Sequence, residues 1–180
     1  MQFKALVLLS LLSPLTSCAT STTHNSTQAN SPIAFDAVEL SEEARQELFG
    51  TVAALEGNWS SDDGGTSQFE VTSGGSAVRE ITFAGQPHEM TNMYTLDGNG
   101  LNMTHYCAVG NQPHMRATTL KDSSLVFSRT GVTGRQNAEE NYMGAMTLTI
   151  VDADTIQQTW TSYQGDQAGE QMIFTFMRTD

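Results

Sequence analysis

The sequence predicts an all-β domain, an antiparallel meander of about ten short strands closed into a barrel and led by one helix. Three observations carry this. Apolar residues recur at helical spacing only between Ser41 and Gly57. After Gly57 apolar and polar positions alternate. The alternating runs are punctuated by clusters such as Asp62-Asp63-Gly64-Gly65, Asp97-Gly98-Asn99-Gly100 and Asp152-Ala153-Asp154. These favour turns, because Gly accepts positive φ and Asp and Asn bond their own backbone.

The helix is justified first. Ser41 is placed to cap it, and Glu42 and Glu43 sit where the helix dipole favours negative charge. Ala44, Leu48, Val52 and Leu55 then follow at spacings of four, four and three, which lines one face. Gly50 weakens the helix by about 1 kcal/mol relative to Ala, and Gly57 is expected to end it.

The strands are expected at 58–61, 68–72, 77–84, 89–96, 101–109, 115–120, 125–130, 145–151, 155–163 and 171–178. A meander that long must curl, and closure into a barrel removes its exposed edges. One long polar connection, 131–143, is expected to be a loop or a lid over one mouth.

The chain before the helix has a different character. Lys4 followed by the apolar run from Ala5 to Leu12 is the pattern of an export signal, too short for a membrane span. Leu15-Thr16-Ser17-Cys18 resembles the lipobox of bacterial lipoproteins. That resemblance implies removal of residues 1–17 and a lipidated Cys18 as the new first residue. It implies a bacterial envelope location, with membrane attachment through the lipid. Ala19 after Cys18, where Asp is absent, implies the outer membrane by analogy with enteric lipoproteins. Residues 18–40 are rich in Ser, Thr and Asn and are expected to form a tether, with His24 solvated in it. Residues 41–180 form the single barrel domain, about 140 residues, a normal domain size.

With 20 acidic and 8 basic residues the formal charge is −12. This argues against nucleic acid, against docking onto anionic lipid and against strongly anionic ligands. If Cys18 carries lipid, Cys107 has no partner, so no disulfide stabilises the domain.

Gly57-Asn58-Trp59 opens the first strand and Arg178 closes the last. This resembles the calycin and lipocalin barrels, in which a Gly-x-Trp on the first strand receives an Arg from the final one. The preceding Leu55-Glu56-Gly57-Asn58-Trp59 is similar to the opening of small calycin-like bacterial domains of the DUF1579 type. The resemblance implies a barrel-closing stack of Arg178 on Trp59. A guanidinium suits that role because it keeps its charge while offering a flat face. The long helix that precedes the last strand of classical lipocalins is missing, which favours a ten-stranded relative.

The most chemically varied stretch is Asn102-Met103-Thr104-His105-Tyr106-Cys107, continuing through Gly110 to His114 and Met115. The Asp97–Gly100 turn sets a hairpin register with Leu96 opposite Leu101, Tyr94 opposite Met103 and Asn92 opposite His105. Met90 then falls opposite Cys107, and His88 opposite Val109. Side chains alternate along strands, so these residues share one face, the more apolar one, which is assigned to the interior.

Three chemistries fit that face. Met90, Asn92, Tyr94, Met103, His105 and Cys107 suit the wall of a pocket for a small apolar or amphipathic ligand. An inward Arg116 would add a bidentate carboxylate clamp, as in fatty-acid-binding calycins. Alternatively, Cys107, His105, His88, His114, Met103 and Met115 are ligand types suited to copper or zinc, with His105, Cys107 and Met103 the expected core of a copper site, and a lone inward His suits haem, which some ten-stranded calycin relatives bind. A Cys107 nucleophile activated by His105 is the third, but no residue orients the imidazole and no catalytic motif occurs. The bland alternative is a core Cys and His in an envelope interaction module. The preferred reading is the ligand pocket, with no enzyme activity, no catalytic residue and no cofactor assigned.

Overall fold

A computed structural model describes residues 40–179 of the 180-residue chain. The signal, Cys18 and the tether up to residue 39 lie outside the described residues.

Helix α1 (Glu42–Ala53) starts where Ser41 accepts a hydrogen bond from the Ala44 backbone N–H at 3.2 Å. Leu48 and Val52 bury its inner face, as their spacing requires. The helix ends at Ala53, and Gly57 instead opens the first strand with φ +128°. A β-carbon there would also approach Arg178 Nη1 to 3.1 Å, so only glycine fits well.

Eleven strands follow: β1 (Gly57–Ser60), β2 (Thr66–Thr72), β3 (Ala77–Thr82), β4 (Met90–Asp97), β5 (Gly100–Tyr106), β6 (Gln112–Ala117), β7 (Leu120–Lys121), β8 (Ser124–Thr133), β9 (Asn141–Ile150), β10 (Thr155–Gln164) and β11 (Gln167–Thr179). All pair antiparallel. Strand β1 pairs with both β2 and β11, and β6 pairs with β8, so ten strands close a barrel and the two-residue β7 stays outside it. The meander and its closure follow the sequence pattern. The expected loop 131–143 is shorter, because β8 and β9 extend into it.

Trp59 and Arg178 are directly paired across β1 and β11. The guanidinium lies over the indole, 4.3 Å from the ring centroid. Its two Nη groups donate to the Glu56 and Ala54 carbonyls at 2.8 and 3.2 Å, and Trp59 Nε1 donates to the Leu55 carbonyl at 2.8 Å. One cation therefore ties the last strand to the first strand and to the otherwise unpaired carbonyls after α1.

Leu48, Val52 and Leu55 pack with Trp59 into a continuous core that includes Leu101, Met103, Met115, Phe127, Met146 and Ile156. This fills the end of the barrel nearest α1. No helix among the described residues is long and apolar enough to cross a membrane.

Candidate functional site

Strand β3 supplies the centre of the site. Its alternation turns Val78, Glu80 and Thr82 inward. Glu80 is 0 % exposed, and four donors converge on it. Ser67 Oγ and Gln158 Nε2 donate to Oε1 at 2.7 and 2.6 Å. Asn92 Nδ2 and Tyr94 Oη donate to Oε2 at 2.7 and 2.6 Å. No cationic side chain forms an ion pair with it among the described residues. Burial, then the neighbouring Glu80 charge, holds the Tyr94 hydroxyl well above its ordinary pKa, so Tyr94 remains a donor.

The Glu80 contacts fix the next link. A carboxylate only accepts, so the Asn92 amide nitrogen must face Glu80 and its oxygen must face away. Asn92 Oδ1 lies 2.7 Å from His105 Nδ1. His105 Nδ1–H is therefore the donor, and Nε2 carries the lone pair. Nε2 is buried and has no hydrogen-bond partner among the described residues. His105 is 2 % exposed, and burial pushes its pKa down to about 4, so the ring is neutral at ordinary pH. Trp160 packs against it with ring centroids 4.8 Å apart, and its Nε1 donates to Gln158 Oε1 at 3.0 Å.

Toward the end of the barrel away from α1 the interior is hollow. A cavity of about 290 Å³ lies there, close to the lower bound of ordinary ligand pockets. Thr82, Met90, His105, Cys107, Gln158 and Trp160 form its inner wall, with Phe83, Met143, Phe174 and Phe176 around them. Exposed His88, Val109 and Met172 also line it and mark the mouth. Thr82 Oγ1 is a second buried polar atom without a partner among the described residues. Phe83 holds φ +56°, an unusual conformation for an aromatic residue, and its ring stacks obliquely on His88 at 4.7 Å.

The sequence candidates separate into four groups. Met90, His105 and Cys107 line the cavity. Asn92 and Tyr94 face inward but stand behind the wall, bound to Glu80. Met103 is inward too, but it packs in the solid core opposite Tyr94 and Met115. Arg116 requires correction as a pocket residue. It pairs with Asn102, in the outward row of β5, and it donates to the Asp97 carbonyl and, at 2.6 Å, to Asn99 Oδ1. It braces the hairpin turn.

The strand expected through residue 109 also stops early. Cys107 N–H donates to the Asn111 carbonyl, and Gly110 N–H to the Cys107 carbonyl, which turns the chain after Tyr106. Val109 is consequently 65 % exposed at the rim. The ladder opposing Met90 to Cys107 and His88 to Val109 does not form.

The grouping bears on metal chemistry. Met103 is not in the cavity, so the triplet His105, Cys107 and Met103 is not assembled. Among the described residues no three His, Cys, Asp or Glu side chains gather as a metal site. A haem would need His105 Nε2 as its protein ligand, and that atom is enclosed by protein with no surface on the cavity. His105 makes no hydrogen bond to the Cys107 thiol; its Nδ1 is committed to Asn92.

Glu80, Thr82, Gln158 and Trp160 were not expected as site residues. The signal for Glu80 and Thr82 was present, since Val78-Arg79-Glu80-Ile81-Thr82 alternates and puts a carboxyl group in the inward phase. No protein-family model matches the chain, and no curated protein matches it either.

Proposed function

We propose that the domain is a non-enzymatic binding module that holds a small apolar or amphipathic molecule in its barrel. The observation that carries this is the cavity of about 290 Å³ with an almost wholly apolar lining, in which Met90, Cys107, Met143, Trp160, Met172 and Phe174 take part. Three thioethers in the lining, Met90, Met143 and Met172, supply an adaptable apolar surface.

The lipobox-like Leu15–Cys18 segment supports placing this module in the bacterial envelope, anchored at the outer membrane by lipid on Cys18. The Gly57, Trp59 and Arg178 pattern on a closed ten-stranded barrel supports kinship with the calycin-like DUF1579-type domains.

A neutral fluorescent probe tests the pocket. N-phenylnaphthylamine is expected to brighten on binding with one-to-one stoichiometry, and Met90→Trp is expected to abolish the signal by filling the cavity. A wild-type protein that leaves the probe dark contradicts the reading. The second reading is haem, favoured by an imidazole side chain among the residues that line an apolar cavity. His105 would hold the iron, and Met90, Phe83 and Trp160 would pack the ring. An intense visible absorption band in protein from its own host, lost in His105→Ala, would establish it.

A further inference from the structure

The inward rows of the barrel step through three levels. On β3 the order is Val78, Glu80, Thr82. On β5 and just beyond it the order is Met103, His105, Cys107, and on β10 it is Ile156, Gln158, Trp160. The first residue of each row packs in the solid core on the α1 side, and the last lines the cavity. The middle residues form a polar layer across the barrel, completed by Ser67 and Asn92 and at most 2 % exposed. Its groups bond to one another. Ser67, Asn92 and Gln158 donate to Glu80, His105 Nδ1–H donates to Asn92, and Trp160 Nε1 donates to Gln158 from the level above. The layer spends its polar atoms on itself, and the lining that includes His105, Gln158 and Trp160 is almost wholly apolar.

A polar head pushed down to this floor loses its hydration and finds no partner. A hydrocarbon tail gains with each methylene that enters. The floor does not yield cheaply, because lowering it breaks buried hydrogen bonds. At the other end the exposed His88, Val109 and Met172 frame an opening where a head stays in water.

We infer that the pocket takes an amphiphile tail first, recognises the tail by its length against the floor made by His105, Gln158 and Trp160, and makes no hydrogen bond to the head. Its ligand class is the medium-length alkyl chain. This rests on the pocket reading above and names the ligand of that site. A cavity of about 290 Å³ is filled by roughly eight to ten carbons at the packing density of a protein interior.

The test uses the full chain carrying Cys18→Ser, so that no acyl chain can be attached. Straight-chain alcohols from butanol to dodecanol displace bound N-phenylnaphthylamine at neutral pH. Affinity is expected to rise about fourfold per methylene and to level off at roughly eight to ten carbons. Octanol and its methyl ether are expected to bind equally. Trp160→Leu deepens the pocket and is expected to move the break about two carbons longer. Val109→Ser, at the exposed rim, is expected to leave the break in place. A loss of stability alone weakens every chain alike and does not move the break. If Trp160→Leu does not fold, the alcohol series on the otherwise unaltered chain still decides.

Affinity that climbs steadily to dodecanol, or an unmoved break in folded Trp160→Leu, would overturn the length filter and leave the pocket reading standing. Octanol that binds about tenfold more tightly than its methyl ether would overturn the head at the mouth. Probe uptake with no displacement by any alcohol would overturn the inference alone. No uptake of the probe would overturn both.

Discussion

Asn92 Oδ1 accepts a hydrogen bond from His105 Nδ1 at 2.7 Å, and the amide can do so only because its nitrogen is committed to Glu80. A buried carboxyl group on β3 thereby sets the tautomer of an imidazole on β5 through a side chain on β4. Similar outer-shell chains orient metal-bound and catalytic histidines. Here the chain ends on a lone pair beside an apolar cavity.

The tautomer can be read directly. Nitrogen NMR of imidazole-labelled protein at neutral pH is expected to show His105 protonated at Nδ1 and bare at Nε2. Asn92→Leu removes the acceptor and is expected to mix the two tautomers. A ring protonated at Nε2 in the wild type would break the Glu80–Asn92–His105 assignment.

Stability should fall in mild acid for a stated reason. Burial lowers the His105 pKa from 6.5 to about 4 in the folded state. Below pH 6.5 the unfolded chain therefore takes up a proton that the folded chain refuses. The stability present above the unfolded value is lost as pH falls toward the folded one. From pH 7 to pH 5 this amounts to about 2 kcal/mol. Urea unfolding at both values measures it. His105→Gln is expected to flatten the dependence by that amount, and identical slopes for the two proteins would refute the assignment.

Glu80 should be the most sensitive position of the interior. Glu80→Ala leaves Ser67, Asn92, Tyr94 and Gln158 donors without an acceptor and is expected to cost about 3–5 kcal/mol. Tyr94→Phe removes one donor of the four and should cost about 2 kcal/mol. Chemical denaturation checks both. A Glu80→Ala protein as stable as the wild type would show that the four hydrogen bonds carry no net weight.

Arg178→Lys tests the closed end. Lysine keeps the charge but loses the flat stack on Trp59 and the two-armed grip on the Ala54 and Glu56 carbonyls. A loss of about 1–2 kcal/mol is expected, seen as a lower thermal midpoint with ligand binding retained. Loss of binding without loss of stability would place Arg178 in the site instead.

The barrel was legible because its signals are local. The Asp97-Gly98-Asn99-Gly100 turn fixes the hairpin, and the observed pairs Leu96–Leu101, Tyr94–Met103 and Asn92–His105 follow from it. The stack of Arg178 on Trp59 was legible only through the resemblance to calycin barrels, since the two residues are far apart in the sequence. The site was only half legible. Glu80 draws donors from β2, β4 and β10, and Gln158 lies 78 residues away in sequence, so no local window joins them. The far wall, Met143, Trp160, Met172 and Phe174, belongs to β9, β10 and β11 and meets His105 only when the barrel closes. Arg116 was misplaced by a choice of phase that only the pairing of β5 with β6 decides.

The central claim is that the cavity beside His105 holds a ligand. Native mass spectrometry of protein purified from its own host tests it most directly. The claim predicts a copurified organic mass in one-to-one ratio, released on denaturation and absent from Met90→Trp protein. A wild-type protein that carries no bound mass and takes up no apolar probe would contradict it.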